Sequence, residues 1–220
     1  MAEYIIWTVV VIGAVVVIQQ FAWRWASRRW QLPCPTVLSW MVDGPLVDKF
    51  AGTDVTLDRL GLQPGMTVVE IGPGPGRLLL RAARRVLPGG KAIGVELQQG
   101  MIDKLRQKLS RDDPGNVELV HGDATQAVLP PESADVVYLC TVLGEIPDRR
   151  TALKNCYDAL RPGGRLSITE IIMDPHYQTR AKVDQLTREV GFLPDDYSSN
   201  WRMYTANFRR PRGDEAVGRR

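Results

Sequence analysis

Thiols and imidazoles are scarce in this chain. Its 220 residues hold three cysteines, Cys34, Cys140 and Cys156, and two histidines, His121 and His176. The cysteines have no paired spacing and form no C-x-x-C, so neither a disulfide framework nor a zinc site is expected, and all three read as free thiols in a reducing compartment. Charge of one sign is also lacking. A net charge of +3 gives no basis for nucleic-acid binding. There is no internal repeat. No glycine-rich stretch ends in Gly-Lys-Ser/Thr, which excludes phosphate chemistry of the P-loop type. What remains is an ordinary globular composition, 44% hydrophobic and 24% charged, long enough for one domain and an appendage.

Charge is missing most completely near the N-terminus. YIIWTVVVIGAVVVIQQFAWRW occupies residues 4–25, and nothing charged interrupts it before Arg24. At about 1.5 Å per residue this run is long enough for a hydrocarbon core of about 30 Å. Tyr4 and Trp7 at one end, with Trp23, Trp25 and Trp30 at the other, have the spacing of interfacial aromatic belts. Arg24, Arg28 and Arg29 follow the run, whereas only Glu3 precedes it. The positive-inside rule therefore predicts a single-pass helix with the rest of the chain in the cytoplasm. Two other readings compete. A cleaved signal peptide carries its basic residues before the apolar run, the reverse of this order. A buried core helix, or one lying flat on a membrane, rarely clusters arginines and tryptophans at one end. With Gly13 alone the segment offers no G-x-x-x-G pairing face, and nothing in the sequence specifies an oligomeric state.

Residues 26–54 read as a connector. QLPCPT cannot be helical throughout, and short apolar-faced helices are expected over 37–42 and 46–50, split by Asp43-Gly44-Pro45, as a lid or packing cover. From residue 55 to 210 the chain alternates. Helices are expected over 56–60, 77–87, 99–110, 149–160 and 179–190. Strands are expected over 67–71, 91–96, 117–120, 135–140 and 165–172, with strand-like segments around Phe192 and over 203–209. Apolar, β-branched strands between amphipathic helices predict βαβ units: an α/β, Rossmann-like, mostly parallel sheet with helices on both faces. The basic tail, 211–220, has few apolar residues and is a candidate for contact with anionic lipid.

The chemistry begins at EIGPGPGR. Gly72, Gly74 and Gly76 alternate with Pro73 and Pro75, directly after a strand that ends with Glu70 and Ile71. The dinucleotide fingerprint G-x-G-x-x-G would need glycine where Arg77 stands, so the turn suits a ligand without a pyrophosphate. Glu96 ends the next strand, where a carboxylate accepts ribose hydroxyls, and Asp123 follows the third, where one accepts from an exocyclic adenine amine. The three motifs fall in order along one sheet edge, where open α/β sheets bind ligands.

The ordered set resembles the class I S-adenosylmethionine-dependent methyltransferases over roughly residues 50–210. EIGPGPG corresponds to the family's first motif, GVEL to the acidic end of its second strand, GDA to its adenine segment and LRPGG to its late motif. The resemblance implies S-adenosyl-L-methionine as cofactor and a seven-stranded sheet in the order 3-2-1-4-5-7-6 with the last strand antiparallel. It implies cofactor contacts from Glu70, Gly72, Gly74, Gly76, Glu96, Leu97, Asp123, Ala124 and Thr141. The run VVYLCTVLGEIPDR resembles the fourth strand and loop of quinone-type and other small-molecule members, a loop that lies between cofactor and acceptor. The two prolines depart from the common pattern and remove two N–H donors.

Candidates for handling the acceptor are Glu145, His176 and Tyr204, with Glu170 and Asp174 nearby. Against them, Glu145 is placed to cap the helix after Pro147, His176 to be a loop residue, and Tyr204 to be core or lid. His121 reads as structural and Cys140 as core. A membrane tether favours a membrane-resident acceptor, either a phospholipid amine or a quinone or other prenyl-lipid precursor. Lipophilic thiols and other xenobiotics are the alternative acceptors, and a non-catalytic assembly protein is the alternative role.

Overall fold

In the computed structural model, the described residues are 2–30, 34–36, 39, 43–44, 47–48, 52–213 and 215. The first helix, α1, is Ala2–Trp30. It is followed by α2 (Thr53–Arg59), β1 (Thr67–Ile71), α3 (Leu79–Arg85), β2 (Lys91–Glu96), α4 (Gln99–Leu109), β3 (Val117–His121) and β4 (Ala134–Cys140). The chain continues with α5 (Arg149–Ala159), β5 (Leu160–Ile171), α6 (Arg180–Val190), β6 (Leu193–Ser199) and β7 (Met203–Arg209).

All seven strands form one sheet in the order β3-β2-β1-β4-β5-β7-β6. Strands β1 to β5 pair in parallel, while β7 runs antiparallel to both β5 and β6. The central strands are buried on both faces, which explains why β1 and β4 read as unbroken apolar runs. One face of the sheet carries Leu57, Leu60, Leu79, Val86 and Leu105, contributed by α2, α3 and α4 and the residues after them. The other carries Leu153 and Cys156 of α5 with Val183 and Leu186 of α6, sealed by Phe192 and Phe208.

Several boundaries differ from the sequence reading. Helix α3 starts at Leu79 rather than 77, because the glycine turn extends through Arg77. Strand β5 starts at Leu160, so Arg161-Pro162-Gly163-Gly164 belongs to an irregular strand end rather than a free turn. The Gly163 N–H donates to the Arg210 carbonyl and the Arg210 N–H to the Gly164 carbonyl, both at 2.9 Å. Phe192 precedes β6 and plugs the core instead of lying in the strand.

The N-terminal segment is helical as expected and longer than expected, at 29 residues. Its transmembrane assignment is not supported: among the described residues, no helix is long and apolar enough to cross a membrane. The side chains of Ile5, Val9, Val16, Val17 and Phe21, all in the apolar run, lie outside the described set. The short helices expected over 37–42 and 46–50 lie largely outside the described residues as well.

The described part of the connector packs on the start of α4. Thr36 donates its hydroxyl to Gln98 Oε1 at 3.1 Å, Gln98 Nε2 donates to the Cys34 carbonyl at 3.1 Å, and Lys104 Nζ donates to the Thr36 carbonyl at 2.6 Å. A side chain at Gly100 would strike Thr36. Just before the tail, Arg209 pairs with Glu215, and Arg210 with Glu132 at 2.8 Å. Because β7 is antiparallel, this tail leaves from the edge of the sheet opposite the glycine turn.

Candidate cofactor and acceptor site

Gly72, Gly74 and Gly76 all have positive φ, at 69°, 53° and 85°. This is the left-handed region that a side chain disfavours. Their surroundings separate their roles. A Cβ on Gly72 would lie 2.7 Å from Val142 Cγ2 and one on Gly76 only 2.2 Å from Leu105 Cδ1, whereas one on Gly74 would meet nothing within 4 Å. The outer two glycines let the turn pack onto the protein, and the middle one faces open space. The prolines have a packing reason too. The Pro73 ring lies 3.0 Å from where a Cβ on Gly94 of β2 would stand, and the Pro73 carbonyl accepts from the Gly76 N–H at 2.9 Å.

Glu96 is buried beside that open space. One carboxylate oxygen accepts the Gly74 N–H at 3.0 Å and the other the Gln98 N–H at 2.8 Å. Each oxygen keeps acceptor capacity for a ribose hydroxyl. Asp123 turns its loop after β3 by accepting the Thr125 N–H at 2.8 Å, and the Ala124 carbonyl is held by Asn155 Nδ2 at 2.9 Å. Beneath that loop lies a cavity of about 400 Å³ whose walls include Ile71, Ala124, Val128 and Asn155. Leu97, directly after β2, is exposed. Thr141 follows β4 with φ 56°, its N–H donated to the Thr169 carbonyl at 2.9 Å. A side chain in the left-handed region is strained, and such strain clusters at functional turns. An open approach at Gly74 with a carboxylate at its side fits the amino-acid and ribose parts of S-adenosylmethionine.

Glu70 has a different position from the one expected. It is buried in β1 and accepts the Tyr138 hydroxyl at 2.7 Å. Burial pushes its carboxyl up to about 8, opposed by that bond, by the Arg77 guanidinium and by the Leu79 N–H. Arg77 in turn donates to the Thr53 hydroxyl. Glu70 therefore braces the turn from below. A carboxyl raised in the folded state binds more protons than in the unfolded chain, so stability falls as pH rises from the ordinary carboxyl range near 4.5 toward 8. Glu70→Gln is expected to flatten this fall over pH 5–8 in urea unfolding curves, and an unchanged pH profile would contradict the assignment.

Glu145, His176 and Tyr204 all lie at the same sheet edge, after or at the ends of β4, β5 and β7. Burial, then Asp174 and Glu96, push the Glu145 carboxyl up to about 8, while the Cys34 backbone N–H offsets part of the shift. Glu145 does not cap α5. Asp148 does, accepting the Thr151 N–H at 3.1 Å. His176 is buried, its N–H donated to Asp174 Oδ1 at 2.7 Å, and its carbonyl stands where a Gly144 Cβ would be. Tyr204 donates its hydroxyl to the Gln178 carbonyl at 2.7 Å and packs edge-on to Tyr177. Glu170 is buried, accepts the Gln178 N–H at 3.1 Å and is pushed to about 8 by burial. His121 caps the Leu97 carbonyl at 3.0 Å, and Cys140 is core.

Four residues that shape the site had escaped the sequence reading. They are Tyr138 under Glu70, Gln98 as the bridge to the connector, Cys34 over Glu145, and Arg149, which holds the Leu143 and Gly144 carbonyls at 3.0 and 2.8 Å. A lone tyrosine in the aliphatic strand ADVVYLC was the one available signal among them. Among the described residues no cluster of His, Cys, Asp or Glu is arranged to hold a metal ion.

The sheet order, the glycine turn and the acidic strand ends are similar to those of the Rossmann-like methyltransferase fold. In agreement, residues 68–164 match the family model described as a methyltransferase domain. The chain is 32% identical to an arsenite methyltransferase of Halobacterium salinarum over 56% of this chain and 32% of that protein. It is 34% identical to the ubiquinone/menaquinone biosynthesis C-methyltransferase UbiE of Vibrio campbellii over 54% of this chain and 48% of the relative. The chain thus spans half or less of the length of these curated relatives. A methyltransferase structure from Aquifex aeolicus superposes with a TM-score of 0.75 at 17% identity, over 81% of this chain and all of the other. The phosphoethanolamine N-methyltransferase 2 of Haemonchus contortus, in complex with S-adenosyl-L-methionine, gives 0.64 at 16% identity over 73% of this chain and 52% of that one.

Proposed function

We propose that the chain is a membrane-tethered methyltransferase that moves a methyl group from S-adenosylmethionine to a membrane-resident lipophilic acceptor, a phospholipid amine or a quinone or prenyl-lipid precursor. The observation that carries the transferase reading is the open approach at Gly74 with Glu96 bonded to its N–H. The cofactor supplies an electrophilic methyl, so the protein's task is alignment of the acceptor and exclusion of water, worth several kcal/mol. Glu145, its carboxyl raised to about 8 at the edge of the cleft, is placed to take a proton from an acceptor that must lose one.

The tether reading rests on the uncharged run of residues 4–18 and on the exposure of Tyr4, Ile6, Trp7, Val11, Ile12 and Trp25 along α1. With the run in a bilayer, Arg24, Arg28 and Arg29 would favour a cytoplasmic catalytic domain by the positive-inside rule. Relatives named for quinone biosynthesis support a lipophilic acceptor. The thiol or xenobiotic reading draws on the arsenite relative.

Membrane-embedded chain incubated with methyl-labelled S-adenosylmethionine and a total lipid extract is expected to label an organic-phase product. Label found only in water-soluble products would remove the lipid acceptor from the proposal, and no label at all would favour the assembly role.

A further inference from the structure

Three large apolar side chains stand exposed together at the active edge of the sheet: Trp201 at 82%, Met173 at 75% and Ile172 at 49% exposure. Ile172 and Met173 directly follow β5, and Trp201 lies in the turn between β6 and β7. The two segments are joined, since the Ile172 N–H donates to the Arg202 carbonyl at 2.8 Å. Arg202 lays its guanidinium 5.1 Å from the Trp201 ring centroid. A tryptophan tip with an adjacent arginine and two aliphatic neighbours has the composition of a membrane-interface contact, where an indole sits at headgroup level and a guanidinium meets phosphate.

Chain geometry selects the occupant. Four residue steps separate Trp30, the end of α1, from Cys34, so the two lie within about 14 Å at full extension. Cys34 stands over Glu145, and Glu145 in turn feels the charge of Asp174, the neighbour of Met173. If α1 crosses the bilayer, this edge of the sheet is the one that its basic end ties to the membrane, through Cys34. Arg209 and Arg210, at the end of β7, lie at the opposite edge and pair with Glu215 and Glu132.

We infer that Trp201, Met173 and Ile172 form a second membrane contact, which seats the β5 and β6–β7 loops in the bilayer interface so that the acceptor cleft opens onto lipid. This rests on the tether proposed above.

The test uses the full chain in nanodiscs of phosphatidylcholine and phosphatidylglycerol. A Cys34→Ser background carries an environment-sensitive NBD label at Trp201→Cys, or at Glu118→Cys near the opposite edge as control. Retained binding of S-adenosylhomocysteine verifies the fold of each labelled protein. Spin-labelled lipids with the quencher near the headgroup are expected to quench position 201 at least threefold more than position 118. Equal, weak quenching at both positions, with the chain still in the nanodisc, overturns the contact and leaves the tether standing. Loss of the chain from the nanodisc overturns both. A spectral shift at 201 that follows protein concentration rather than lipid assigns the patch to a second copy and also overturns the contact.

Discussion

Glu96→Ala is expected to weaken binding of S-adenosylhomocysteine at least about 100-fold by calorimetry. Two charged hydrogen bonds to ribose hydroxyls are lost, at about 1.5–3 kcal/mol each. The same carboxylate holds the Gly74 and Gln98 N–H groups, at 3.0 and 2.8 Å. Removing it leaves both donors to find other partners, and the variant is expected to lose about 2 kcal/mol of folding stability as well. Glu96→Gln keeps one acceptor oxygen and the side-chain shape, so its loss of affinity is expected nearer 10-fold. Affinity of the alanine variant within threefold of the parent would show that the ribose is held elsewhere. Because Gln98 also carries the connector through Cys34 and Thr36, the alanine variant is expected to raise protease sensitivity around residue 34.

The second large effect separates two glycines of the same turn. Gly76→Ala places a Cβ 2.2 Å from Leu105 Cδ1, in the core, at a φ of 85°. Overpacking and left-handed strain together are expected to cost about 2–4 kcal/mol in urea unfolding. Gly74→Ala has a φ of 53° but open space around its Cβ. It is expected to cost only about 1 kcal/mol of stability. Its new methyl points where the cofactor approaches, so affinity is expected to fall 10- to 100-fold. The two variants therefore invert: one loses fold, the other loses ligand. Equal stability losses would show that the turn is rigid throughout, and unchanged cofactor affinity in Gly74→Ala would move the ligand away from the middle glycine.

The sheet and its order were legible because their causes are local. β-branched runs such as TVVEI and ADVVYLC are buried on both faces, and the amphipathic helices between them have one apolar stripe each. The resemblance then supplied the topology that such periodicity cannot, and the strand order is the one it implied, with β7 between β5 and β6. The strand ends placed Gly74, Glu96 and Asp123 on one edge for the same reason.

What the sequence alone determined is therefore the kind of domain, the acids at its strand ends and the uncharged N-terminal run. Tertiary structure decided which way each group faces. Glu70 and Glu96 look alike as acids at strand ends, yet one is sealed under Tyr138 and Arg77 while the other borders open space. That difference depends on residues 68 positions away, as Tyr138 is from Glu70. Glu145 reads as a helix cap by position, but Asp148 takes that role and leaves Glu145 beneath Cys34. The exposed group of Ile172, Met173 and Trp201 is likewise invisible as a motif, because it forms only when a β5 end and a β6–β7 turn meet through one backbone hydrogen bond. Side-chain identity is written along the chain, whereas burial, and with it proton affinity and access to ligand or lipid, is set by contacts between segments far apart in it.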